Sequence, residues 1–128
     1  MKLAELKNKS VLRAMPMGKN EVTFVSINYR ENEHGDLDGA FINIKEYRPL
    51  FIPIFEGDNF QLDLLTEQLG VDSYDPEEIN KLTGTVIVAH KYVRFDPNRG
   101  QEFTNVSFNP RYDEAKQNNV TNIVHNYA

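Results

Sequence analysis

The stretch TGTVIVAHKYVRFDPNRGQEFTNVSFNP, residues 83–110, constrains the fold more than any other part of the chain. Two β-rich runs, 85–95 and 101–109, flank Asp96-Pro97-Asn98-Arg99-Gly100, where proline fixes one dihedral and glycine reaches others that most residues avoid. That combination predicts a long antiparallel hairpin. Side chains alternate along a strand, so Val86, Val88, His90, Tyr92 and Arg94 share one face of the first arm. Ile87, Ala89, Lys91, Val93 and Phe95 share the other. Neither row is wholly apolar, and the hairpin reads as a wall between a core and a wet surface.

The same period of two recurs upstream. Residues 21–30, EVTFVSINYR, predict a first strand with Val22 and Phe24 on one side and Val25, Ile27 and Tyr29 on the other. A polar loop, ENEHGDLDG, leads to a second strand over 40–47. There Ala40, Ile42 and Ile44 form an apolar row, and Phe41, Asn43, Lys45 and Tyr47 point the opposite way. Arg48-Pro49 interrupts the pattern. Residues 50–55 resume it as a third strand, with Leu50, Ile52 and Ile54 on one face and Phe51 and Phe55 flanking Pro53, which marks an edge or a bulge.

From Asp58 the period lengthens. Phe60, Leu62, Leu64, Leu65 and Leu69 make a broad helical stripe, with Asp58 as its cap and Gly70 as its stop. Asp75-Pro76-Glu77-Glu78 reads as the start of a second, shorter helix, which Ile79 and Leu82 anchor before Gly84 releases the chain into the hairpin. Residues 1–20 read as an arm or short helix, 21–110 as the folded domain, and 111–128 as a polar, Asn-rich tail.

A chain of 128 residues suffices for one core. The absence of cysteine removes disulfides and thiolate metal sites. Residues 1–20 lack the apolar core of a signal peptide, and no run approaches the roughly 18 apolar residues of a membrane span, so a soluble intracellular protein is expected. Net charge is −5, but the charges segregate. Residues 1–30 hold six Lys/Arg against two Glu, and residues 81–111 hold five against two acids. Residues 56–80 carry eight acids and no Lys or Arg. Local field, more than net charge, decides whether phosphates are attracted.

Three strands, a helix and two strands form the succession of an OB-fold, a mainly β, five-stranded Greek-key barrel with its helix between strands three and four. From Gly39 to Pro110 the chain also resembles a group of small phage-encoded single-stranded DNA-binding proteins. The resemblance lies in LTGTVIVAHKYVRF, a Gly-containing turn and FTNVSFNP, preceded by QLGVDSYDPEEINKL. It implies largely sequence-independent single-stranded DNA binding in phage replication or recombination, in the cytoplasm of an infected or host bacterial cell, beside recombinase or replication proteins. The chain lacks the acidic terminal cluster of many bacterial single-strand binders, since Asp113 and Glu114 stand alone, so the resemblance does not extend to recruitment through a tail.

Binding of this kind needs cations spaced along phosphates and rings on which bases stack. The candidates are Phe41, Lys45, Tyr47 and Arg48 on the second strand and its end, with Lys91, Tyr92, Arg94 and Arg99 on the hairpin and Arg111 beside it. Phe51, Phe55, Phe60, Phe103 and Phe108 are expected in the core. No catalytic constellation accompanies them. His34, His90 and His125 lack metal-ligand spacing, Asp36 and Asp38 sit in a polar loop that favours solvation, the glycines form no phosphate cradle, and no serine has a nucleophile elbow. No cofactor or metal is implied. A single small barrel covers few nucleotides, which favours a homo-oligomer, a dimer or larger. A second reading makes the domain a protein-interaction or assembly module of phage or mobile-element origin that works through its acidic stretch 56–80. A third, a metal-dependent nuclease, predicts cleavage on addition of Mg²⁺.

Overall fold

The structure is a computed structural model and describes residues 12–112. Its elements are β1 (Gly18–Glu31), β2 (Leu37–Ile44), β3 (Leu50–Pro53), α1 (Phe60–Leu69), α2 (Pro76–Asn80), β4 (Val86–Asp96) and β5 (Gln101–Ser107). The strands form one antiparallel sheet in the order β3-β2-β1-β4-β5. The edges β3 and β5 approach each other without pairing, so the five-stranded sheet expected as a Greek-key barrel curls but is not closed. The arm over residues 1–11 and the tail from 113 lie outside the described residues.

β1 organises the sheet because its two halves serve different partners. Gly18 to Thr23 pair with β4, and Phe24 to Glu31 pair with β2. The register shifts between Phe24 and Ser26, which leaves Val25 as the extra residue of a bulge. One extra residue reverses the alternation. Val22 and Phe24 before it, and Ile27 after it, are all buried, and Tyr29 packs against the same core. The two-faced strand expected from the sequence is therefore a strand with one core face.

Where strands diverge, side-chain amides replace the missing neighbours. The Ile27 N–H, on the edge that β4 has left, donates to Asn80 Oδ1 at 2.8 Å. Past the end of β5, Gln68 of α1 accepts from the Val88 N–H at 2.7 Å and donates to the carbonyls of Val88 and Phe108 at 2.8 and 2.6 Å. Gln61 accepts from the Phe108 N–H at 2.7 Å. These bonds fix α1 against the sheet, while Leu62, Leu65 and Leu69, one stripe at helical spacing, complete the core with Phe108, Ile42, Ile52 and Ile87.

Several boundaries shift for local reasons. β1 begins at Gly18, since residues 18–20 continue the pairing with β4. β2 covers Leu37–Ile44 rather than 40–47, and β3 stops at Pro53 rather than 55. The N-cap of α1 is Asn59, not Asp58, and no side-chain bond caps it. Asn59 instead accepts from the Phe55 N–H and donates back to the Phe55 carbonyl. α2 starts as the sequence predicts, with Asp75 accepting from the Glu77 N–H beside Pro76. No helix among the described residues is long and apolar enough to cross a membrane.

Gln68→Leu keeps the side-chain volume but strands one N–H and two carbonyls. It is expected to destabilise the fold by about 2–4 kcal/mol, read as a lower urea midpoint with an unchanged m-value.

Candidate nucleic-acid interface

The outer face of β1, β2 and β3 carries an exposed pair of rings. Asn28, Phe41 and Phe51 are cross-strand neighbours, and the two rings meet tilted at 54° with centroids 5.2 Å apart. Phe51 lies on the backbone of Gly39, where a Cβ would stand 2.4 Å from the ring, so only glycine leaves room for it. The Arg30 guanidinium covers the ring at 4.7 Å. It is held there by Asp38, with Nε to Oδ1 at 2.9 Å and Nη2 to Oδ2 at 3.3 Å. Asp38 is thus committed to Arg30, which takes it out of the solvated pair expected with Asp36.

The rings expected in the core divide sharply. Phe108 is fully buried, but Phe51 is 38% exposed, Phe55 61%, Phe60 60% and Phe103 36%, and Phe41 matches Phe51 at 38%. Strand parity explains Phe51. It sits between the buried Leu50 and Ile52 and must face outward. Phe55 follows the end of β3, and Phe60 opens α1 away from the stripe of leucines. Phe103 belongs to the part of the hairpin beyond the core.

That hairpin tip forms a second group. Arg94 and Phe103 are directly paired, Arg99 lies 5.7 Å from the Phe103 ring, and Asp96 approaches Arg99 at 3.8 Å. A concavity of about 310 Å³ is lined by Arg94, Asp96, Arg99, Phe103, Thr104 and Asn105. Phe95 is exposed alongside. The turn itself is built as the sequence predicts, with Asp96 accepting from the Asn98 N–H and Gly100 in the left-handed region at φ 64°.

Most of the other candidates have structural partners of their own. Lys45 is exposed, and Tyr47 packs against the edge of the core. Arg48 donates from Nε to the Leu12 carbonyl at 3.1 Å and from its backbone N–H to the Arg13 carbonyl at 2.8 Å. Between them Glu46 accepts from the N–H and Oγ of Thr23 at 2.8 and 2.7 Å. Burial raises this carboxyl, the Thr23 bonds outweigh it, and Glu46 sits below the usual glutamate range. Lys91 reaches the Met15 carbonyl at 2.8 Å. Tyr92 is stacked on Tyr112 at 5.1 Å, and Tyr112 also lies 4.4 Å from the buried His90 ring. Arg111 is exposed beside Tyr112. Of the eight strand and hairpin candidates, only Arg94 and Arg99 are brought together. Phe41 is joined instead by Phe51 and Arg30, which the sequence reading left out although the parity of β3 already pointed Phe51 outward.

A different surface is acidic. A cleft of about 700 Å³, more than twice the hairpin concavity, is lined by Leu37, Ile54, Phe55 and Leu62 together with Asp36 and Glu56. Tyr29 and Tyr74 form part of its wall. The Tyr29 hydroxyl donates to the Tyr74 carbonyl at 2.7 Å, and the Tyr74 hydroxyl donates to Asp63. No protein-family model matches the chain, and no curated protein resembles it closely in sequence.

Burial, and then the neighbouring Tyr74 and Asp75, push the Tyr29 hydroxyl up to about 12 from an ordinary 10.0. Because the neutral form is favoured in the fold, its contribution to stability is whole below pH 10.0 and is lost as pH rises towards about 12. A tyrosinate absorbance titration is expected to show a late step that Tyr29→Phe removes.

Proposed function

We propose that the domain binds single-stranded DNA, largely without regard to sequence and without chemistry of its own, in phage replication or recombination. The observation that carries the reading is the Phe41–Phe51 pair at the surface, in which Phe51 is fixed over a glycine with a guanidinium above it. Phe41 offers a base a stacking partner, at about 1–3 kcal/mol per base, and Phe51, held between Gly39 and Arg30, buttresses it. Arg94 and Arg99 beside Phe103 supply the cation-and-ring combination a second time.

The architecture supports the same reading. A long first strand shared by both halves of a curled sheet, a helix between β3 and β4, and neighbouring edges at β3 and β5 fit an open OB-type barrel. Such barrels bind oligonucleotides across strands two and three and the loops that flank them. Phe41 and Phe51 stand on those strands, and Arg94, Arg99 and Phe103 flank the last loop.

A second reading, a protein-docking module, draws on the acidic cleft, which repels phosphates and exposes apolar side chains. The two readings concern different surfaces.

Fluorescence anisotropy with labelled oligo-dT tests the first. With Lys45, Arg94 and Arg99 as the phosphate contacts, three in all, log K against log salt is expected to fall with a slope of about −2. Phe41→Ala and Phe51→Ala are each expected to weaken binding between about 5-fold and 150-fold. Gly39→Ala should act like Phe51→Ala with the strand intact, because its Cβ meets only the far edge of the ring. Absence of binding at low salt by folded protein defeats the reading.

A further inference from the structure

We propose that the acidic cleft receives residues 1–11 of a second copy of the chain, so that two molecules exchange basic arms. The proposal does not depend on DNA binding, since none of the rings assigned to that surface takes part.

The cleft is apolar within and acidic at its rim. Leu37 and Phe55 remain 48% and 61% exposed, and Asp36 and Glu56 line it with no Lys or Arg among the lining residues. Residues 56–80 add Asp58, Asp63, Asp72 and Asp75 along the same stretch, again without a cation. Apolar surface left open in this way, framed by one sign of charge, suits a segment that inserts apolar side chains while its cations follow the rim. Residues 1–11, MKLAELKNKSV, have that composition. Lys2, Lys7 and Lys9 stand against a single Glu5, and Leu3, Leu6 and Val11 can anchor.

Geometry selects a second molecule over the same one. The chain enters the described fold at the β2–β3 turn, where Arg48 holds the carbonyls of Leu12 and Arg13 and Met15 is buried. The cleft opens at the other end of β2, beside Leu37. The eight residues of β2 that lie between span about 26 Å. An arm folding back over its own sheet would spend about eight of its eleven residues on the crossing. Leu6, Lys7 and Lys9 would then fall short of the cleft. An arm arriving from a neighbour delivers all of them, and reciprocal delivery closes a two-fold dimer.

Sedimentation velocity on the full chain tests this. The wild-type chain is expected to dimerise. A Lys2→Glu/Lys7→Glu/Lys9→Glu variant and an Asp36→Lys/Glu56→Lys variant are each expected to raise the dimer dissociation constant at least about tenfold, with circular dichroism and melting unchanged. Mixing the two variants pairs each arm with a cleft of opposite charge and should restore a dimer that neither forms alone. The arm substitutions lie outside the described fold, so the test survives if the cleft variant fails to fold. A monomeric wild-type chain, an assembly of another size, a dimer indifferent to the arm reversal, or a mixture of folded variants that stays monomeric each overturns the proposal.

Discussion

The structure depends on one extra residue in its longest strand. With Val25 bulged out, Val22 and Phe24 on one side of it and Ile27 and Tyr29 on the other all face the same core. Without the bulge, period two would turn Ile27 and Tyr29 away from that core. The bulge also lets β1 leave β4 and continue with β2, which curls five strands around a single set of apolar side chains. The polar groups it exposes are answered from the chain that precedes β4. Asn80 takes the Ile27 N–H, and the Thr83 hydroxyl donates to the Val25 carbonyl. The short link from α2 into β4 is therefore part of the β1 bend as much as a connection.

Most elements were legible in the sequence because they announce themselves within a few residues. The rows of β2, the leucine stripe of α1, the Asp75-Pro76 helix start and the Asp96-to-Gly100 turn all follow from local periods and turn chemistry. The bulge was not legible, since a strand with apolar residues at 22, 24, 25, 27 and 29 looks equally like one with two apolar faces. Gln68 and Asn80 carried no signal either. Their partners lie 20 and 53 residues away, and only the folded sheet creates the gaps that they fill. At the candidate site the error was of another kind. Phe51 and Phe103 were placed inside by residue type, when the parity of Leu50 and Ile52 already placed Phe51 outside. The partners of Tyr92, Lys91 and Arg48 are tertiary and lay beyond reach.

Acidic and basic stretches occupy separate parts of the chain. Acids gather on α1, α2 and their approaches, while Lys and Arg collect at the β2–β3 turn and along the hairpin. Arg30, like Arg99, is paired with an acid beside a ring. Its charge is largely matched by Asp38, so what it gives Phe51 is mainly a flat lid and a fixed orientation. The ring is thereby held in place by a glycine below, from the adjacent β2, and a guanidinium above, from β1 beyond it.

The brevity of β3 has a consequence for the behaviour of many molecules at once. An open sheet leaves edge groups that invite addition of a foreign strand. This edge is four residues long and ends in Pro53, which has no N–H to offer. It makes a poor template for cross-β growth, so on this side the openness of the sheet does not invite crowded molecules to add strand upon strand.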